Sequence, residues 1–382
     1  MVIRCASLLC AAALLYAIVA YRPDRPPTLP GYDAELVQMD DSIRALTVET
    51  SAPHRLLRLA HAAFSKASLS AEFTDFRAAE DAIIAAEKAG EPAAECAYLQ
   101  ASFNLKMHRL AATAQSMERL THLADVPEIA VLRADLLFQQ GKVAGAAALY
   151  EKLSEAGGSW DVTARLAWIK SREGKSVEAD RLYAAAQNEL TAKEMRPWAW
   201  LELQRGLLDL NASHFAEALV HCEKADRAWP GYWLIQEHIA ALIDRLGRPK
   251  DAATLYRSII ARTHRPEFVS ALAAVEHRTD PAAAGLLSKE ARTLFEQQRQ
   301  CYPEAAIGHF LEYLIALPGD PDPELLALAE ENFRLRPNAD AMLLKARVCL
   351  RLHDPAAARR LLAAAQDAGW RSAQLYESHS HH

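Results

Sequence analysis

A pattern that returns every 33 or 34 residues constrains this chain more than any other feature. It places a small residue in one helix, a Gly seven positions on, then an Ala and a Tyr in a second helix. Ala134, Gly141, Ala146 and Tyr150 carry it first, Ala167, Gly174, Ala179 and Tyr183 repeat it, and Ala240, Gly247, Ala252 and Tyr256 repeat it again. A fixed period of this length means a stack of two-helix units, each burying its apolar face against the next. Such a solenoid grows by addition and offers a long surface to partners.

The residue types explain the spacing. Small side chains let the two helices of a hairpin approach closely, the Gly permits a turn at φ > 0, and the aromatic fills the gap to the next unit. Gly206, Phe215, Ala218, Ala225 and Pro230 keep the same phase between the second and third of these hairpins. In this it resembles the tetratricopeptide repeat, whose consensus has small residues at its eighth and twentieth positions, an aromatic near the twenty-fourth and Pro at the thirty-second. The resemblance implies an all-α, right-handed superhelical solenoid of antiparallel helix pairs. Extending the phase puts hairpins near residues 59, 93, 126, 159, 198 and 232, with one long step of 39 absorbed between Asn188 and Arg196. The expected organisation is a regular array over 53–264 and degenerate repeats over 265–370. The high Ala and Leu content and the lack of alternating Val, Ile and Thr agree with an all-helical chain.

The flanks differ from the array. Cys5 to Tyr21 is a run of 17 uncharged residues, followed by a Pro-rich linker over 22–52 that leads into the repeats. A spanning helix needs about 17 to 25 residues and a signal core about 7 to 15, so the run is expected to be an uncleaved anchor, with a cleaved signal as the alternative. Keeping the short basic terminus inside puts the repeats on the far side of an inner membrane, in a bacterial periplasm if the Ala/Arg/Leu-rich composition is read as bacterial. The last segment, 371–382, is read as a flexible tail in which His379, His381 and His382 could chelate a metal weakly; no specific metal or cofactor is expected. Cys96, Cys222, Cys301 and Cys349 sit in separate hairpins, too far apart to bridge. The net charge of −6 and the lack of a continuous basic face argue against nucleic acid.

No catalytic constellation emerges. Gly174-Lys175-Ser176 imitates the end of a phosphate loop, but Ile169 stands where the first Gly is required and the repeat already explains the turn. No nucleophile, base and oxyanion donor come together, and an enzyme is not expected. In the repeats this chain resembles, the first helix of each hairpin lines the concave face. The matching positions are Tyr98, Asp135, Phe138, Gln139, Arg165, Trp168, Arg172, Trp200, Gln204, His238, Asp244 and Arg245. Aromatic and Arg side chains dominate interface energetics, so these are the candidate partner-binding residues; the alternative for the Trp residues is packing on the neighbouring helix. The chain is therefore expected to be a membrane-tethered scaffold that binds a protein or peptide and assists a cell-envelope complex. Alternatives are a soluble periplasmic binding module after signal cleavage, or an accessory subunit of a polysaccharide or metal-handling system.

Overall fold

A computed structural model describes residues 31–49 and 54–371. Among these residues the chain is a succession of antiparallel helix pairs with no strand. A lead helix, α1 (Tyr32–Val48), lies within the segment read as linker. The array follows as α2 (Arg55–Ser70), α3 (Phe73–Lys88), α4 (Ala93–Lys106), α5 (Leu110–Glu118), α6 (Pro127–Gln139), α7 (Val143–Glu155), α8 (Trp160–Arg172) and α9 (Ser176–Glu189). It continues through α10 (Met195–Asn211), α11 (Phe215–Ala228), α12 (Trp233–Arg245), α13 (Pro249–Thr263), α14 (Pro266–Glu276) and α15 (Pro281–Cys301). The last helices are α16 (Pro303–Ala316), α17 (Leu325–Leu335), α18 (Ala339–Arg351) and α19 (Pro355–Asp367).

The repeat signature sits at the hairpin crossings. Ala134, Ala146, Ala167, Ala179, Ala240 and Ala252 have no exposed surface, and Tyr150, Tyr183 and Tyr256 are buried beside them. Gly141 and Gly174 turn their hairpins at φ +76. Prolines 127, 249, 266, 281, 303 and 355 open helices, where a missing N–H leaves no intrahelical bond unmade. Asp280, Asn338 and Asp354 cap α15, α18 and α19 by accepting from backbone N–H groups at 2.9–3.0 Å.

The long step of the repeat is taken up by a loop before α10 and by α10 itself, 17 residues long. Glu202 pins this irregular junction. It is fully buried and accepts from Gln187 of α9 at 2.8 Å and Lys224 of α11 at 2.8 Å, with His221 of α11 at 2.9 Å. Burial pushes its carboxyl up, but hydrogen bonds from His221, Lys224 and Gln187 outweigh that and hold it at about 2.

The array does not stay open. Its second winding seats on its first, through contacts between residues 161 to 232 positions apart. The Tyr32 amide donates to Pro230 O at 2.9 Å, and the Trp233 indole donates to Leu69 O at 3.3 Å. Arg265 donates to Ala71 O at 3.2 Å, Tyr302 to Glu80 at 3.0 Å, and Asn338 to Gln139 O at 3.3 Å. The Arg371 amide closes the series on Arg172 O at 2.7 Å. A Cβ on Gly141 would stand 2.4 Å from Pro337 O, so this glycine serves both the turn and the close approach of the second winding.

The expectation of a transmembrane or signal helix is corrected here. Among the described residues no helix is long and apolar enough to cross a membrane. Residues 1–21, on which that expectation rested, lie outside the described residues, as does the His-rich tail beyond Arg371. The inner-membrane placement with periplasmic repeats, the membrane as a partner, and the tethered role in an envelope complex all depended on that helix and are withdrawn with it.

Two outcomes test the packing. Replacing Ala146 by Leu should overpack the α6–α7 crossing and cost about 1 to 3 kcal/mol in chemical denaturation. Because Glu202 is held below its unfolded value, its contribution is present above an ordinary glutamate pKa of about 4.3 and is lost as pH falls towards 2. Stability measured across that window should decline in the wild type and be flatter in Glu202→Gln.

Candidate functional site

Winding the array back on itself encloses its concave face. The inner helices α4, α6, α8, α10, α12, α14 and α16 all line one cavity of about 1120 Å³. A second cavity of about 850 Å³, bounded mainly by α16, α17 and α18, adjoins it and shares His108, Ala305, His309 and Glu312. Together they form a continuous lumen.

Of the residues expected to face a partner, Tyr98, Asp135, Phe138, Gln139, Arg165, Trp168, Trp200 and Gln204 line the larger cavity, and Arg172 lines the smaller. His238, Asp244 and Arg245 line neither. Asp244 is paired with Arg278, and the Arg245 guanidinium lies 5.3 Å from the Phe215 ring centre. Several of the first group have partners inside the chain. Arg165 grips Asp135 with two bonds, of 2.8 and 3.0 Å, and reaches Asp161 at 2.9 Å, while the Tyr150 hydroxyl donates to Asp135. Burial pushes the Tyr150 hydroxyl far up, and the Asp135 charge adds to it, so the phenol stays protonated.

Phe138 and Trp168 meet the second winding directly. Their ring centres lie 4.2 Å apart, and Trp370 closes on them at 6.0 and 5.8 Å. The Arg172 guanidinium stands 5.0 Å from Trp168 and 5.2 Å from Trp370. This cluster is packing within the chain. Tyr98, Trp160 and Trp200 are only half-buried and keep ring surface open to the lumen.

The lumen also holds charged groups that the repeat phase does not point to. Lys106 opens into the larger cavity with no hydrogen-bond or ion-pair partner among the described residues. The surrounding cavity walls desolvate it and push its ammonium pKa down, with Arg265 adding to the effect, although the side chain itself remains exposed to the cavity. Arg265 lies 4.4 Å from the Trp233 ring centre and reaches Glu267 at 3.2 Å. Desolvation pushes the His309 pKa down, yet the carboxylates of Glu312, 3.7 Å away, and Glu267 outweigh that and raise it. His108 goes the other way: burial and the neighbouring Arg336 hold it well below an ordinary histidine. Among the described residues no group of three or more His, Cys, Asp or Glu side chains is placed to hold a metal ion. Cys96, Cys222 and Cys349 are buried and unbridged, and Cys301 is exposed.

No protein-family model and no curated protein matches this chain. Solved structures similar to it include repeat proteins. A tetratricopeptide repeat protein from Parabacteroides merdae is 15% identical over 57% of this chain and 96% of its own, with a TM-score of 0.29. The C-terminal part of a TPR repeat-containing protein from Cytophaga hutchinsonii is 16% identical over 64% and 98%, with a TM-score of 0.38. Yeast Tom70 is 13% identical over 91% and 95%, with a TM-score of 0.34. Within the described residues the chain is an all-α array of antiparallel helix pairs.

Trp370 supplies the test of this subsection. Truncating it to Ala should cost about 3 to 5 kcal/mol in equilibrium unfolding. Phe138→Ala and Trp370→Ala should combine to less than the sum of their separate costs, since they remove the same contact.

Proposed function

We propose that this chain is a non-catalytic binding scaffold that holds an extended segment of another polypeptide in its lumen. One observation carries the reading: the inner helices bring half-buried aromatic rings, Tyr98, Trp160 and Trp200, to one enclosed space together with charges of both signs. Rings that keep a free face there are the side chains that contribute most when a partner covers them. Compact ligands occupy pockets of about 300 to 1,000 Å³. The larger cavity alone reaches about 1120 Å³ and runs on into the second, which suits a chain passing through better than a small molecule. The candidate contacts are Tyr98, Trp200 and Gln204, with Gln139 and the Asp135–Arg165 pair beside them. Phe138, Trp168 and Arg172 contribute by shaping the wall against Trp370.

The reading is tested with the full chain and a displayed library of random twelve-residue peptides. Selected peptides should lose about 2 kcal/mol or more of affinity towards Trp200→Ala and Tyr98→Ala, roughly 30-fold, while both variants retain most of the wild-type melting temperature. Failure to enrich any peptide, or equal affinity for both variants, would overturn it.

A further inference from the structure

We infer that the smaller cavity is an anion subsite that receives adjacent acidic side chains of a polypeptide passing through the lumen. The inference deepens the proposed function and rests on it for the polypeptide, but the subsite is argued from its own residues. Four arginines line this cavity, Arg172, Arg336, Arg347 and Arg351, against two carboxylates, Glu312 and Asp340. A cavity with excess positive charge and low-dielectric walls concentrates anions.

The way these arginines are held is more telling than their number. Arg336 donates to Asn332 Oδ1 at 3.0 Å and lies 3.1 Å from His108 Nε2. Both partners are neutral, since the His108 ring is kept unprotonated by burial and by Arg336 itself. The guanidinium is thus oriented without being neutralised, and no carboxylate of the described residues lies within ion-pair distance of it. Arg351 is held in the same manner, donating among the described residues to the carbonyls of Leu317 and Gly319. Arg347 is exposed to the cavity and makes no hydrogen bond or ion pair with the described residues, although its charge acts on Glu312. Of the two carboxylates, Glu312 faces His309 at 3.7 Å, and burial pushes Asp340 up despite Arg172 and Arg336 nearby.

Two backbone features serve the same guanidinium. Gly308 lies in the middle of α16, where a glycine costs about 0.5 to 1 kcal/mol relative to Ala. A Cβ there would stand 2.8 Å from Arg336 Nη2, so the glycine clears the place the guanidinium occupies. His108 takes φ +57 at the α4–α5 turn, the position that Gly141 and Gly174 fill in the next hairpins. Its strained backbone directs the ring across to Arg336 on the second winding. Two neutral acceptors and a cleared site for one guanidinium without a direct ion-pair partner among the described residues, with Asp340 and Glu312 acting on it only from a distance, are poor economy for stability alone, because a desolvated charge without a direct partner destabilises. They make a preformed receptor for a carboxylate, to which a guanidinium binds with two parallel bonds.

The experiment uses the full chain and fluorescein-labelled hexaglutamate, with hexalysine and hexaserine of the same length as controls, followed by anisotropy. Hexaglutamate should bind, the controls should not, and binding should weaken as salt is raised. Arg347→Gln, which removes no hydrogen bond or ion pair of the described residues, should weaken hexaglutamate at least fivefold with an unchanged melting temperature. Arg336→Lys keeps the charge but loses the planar fork, and should also weaken it at least threefold. Absence of hexaglutamate binding at millimolar concentration, equal binding of hexaserine, or undiminished binding by Arg347→Gln would overturn the inference. A random library that enriches neutral peptides dependent on Trp200, with no response to Arg347→Gln, would leave the scaffold reading standing and remove the anion subsite.

Discussion

The seating of one winding upon the other is the constraint on which the rest of this structure depends. In an open repeat array each pair touches only its neighbours, and the concave face is bathed in solvent. Here Trp370 closes on Phe138 and Trp168, while backbone carbonyls at Pro230, Leu69, Ala71, Gln139 and Arg172 accept from the opposite winding. Each of these carbonyls lies at or near a helix end, where acceptors are left over from the helix itself. The windings thus dock through groups that the helices do not use, and the concave face becomes an interior.

An enclosed concave face changes the energetics of the side chains on it. Ion pairs such as Asp135–Arg165 would be worth little on an open groove, where water and salt screen them. In the lumen the same groups are partly desolvated, and the shifts at Lys106, His108 and Asp340 follow from that enclosure. The aromatic rings divide into two sets for the same reason. Those that meet the second winding are consumed by packing, and those opposite the open space keep a free face.

Much of the array was legible in the sequence because its turns and crossings demand particular residues. Ala146 and Ala252 fall at crossings with no room for a larger side chain, and Gly141, Gly174 and Gly247 hold turns at positive φ, so the phase could be read directly. The same turn shape recurs at His108, Ser213 and His353, where no glycine announces it. The closure was not legible, since residues such as Gln139 and Asn338 meet 199 positions apart with no periodic mark on either. For that reason the concave positions could be named from the repeat, but not the use that Trp370 makes of Phe138 and Trp168. The lumen charges from α16 and α18 lie in the degenerate repeats, where no phase assigns an inner face. Arg347 is one of these: no repeat position marks it, and the structure turns it into the lumen.

The double duty of Gly141, as a hairpin turn and as the seat for Pro337, limits how such a chain can change over evolutionary time. Repeat arrays ordinarily lengthen or shorten by whole helix pairs, since a new unit needs to match only the two beside it. A pair inserted between α8 and α11 would carry Pro230 away from Tyr32, Arg265 away from Ala71 and Trp370 away from Trp168 in a single event. Substitution can tune this array position by position, but duplication between α8 and α11 breaks these long-range seats together. The number of helix pairs in that stretch is therefore as fixed a property of the fold as the identity of its core.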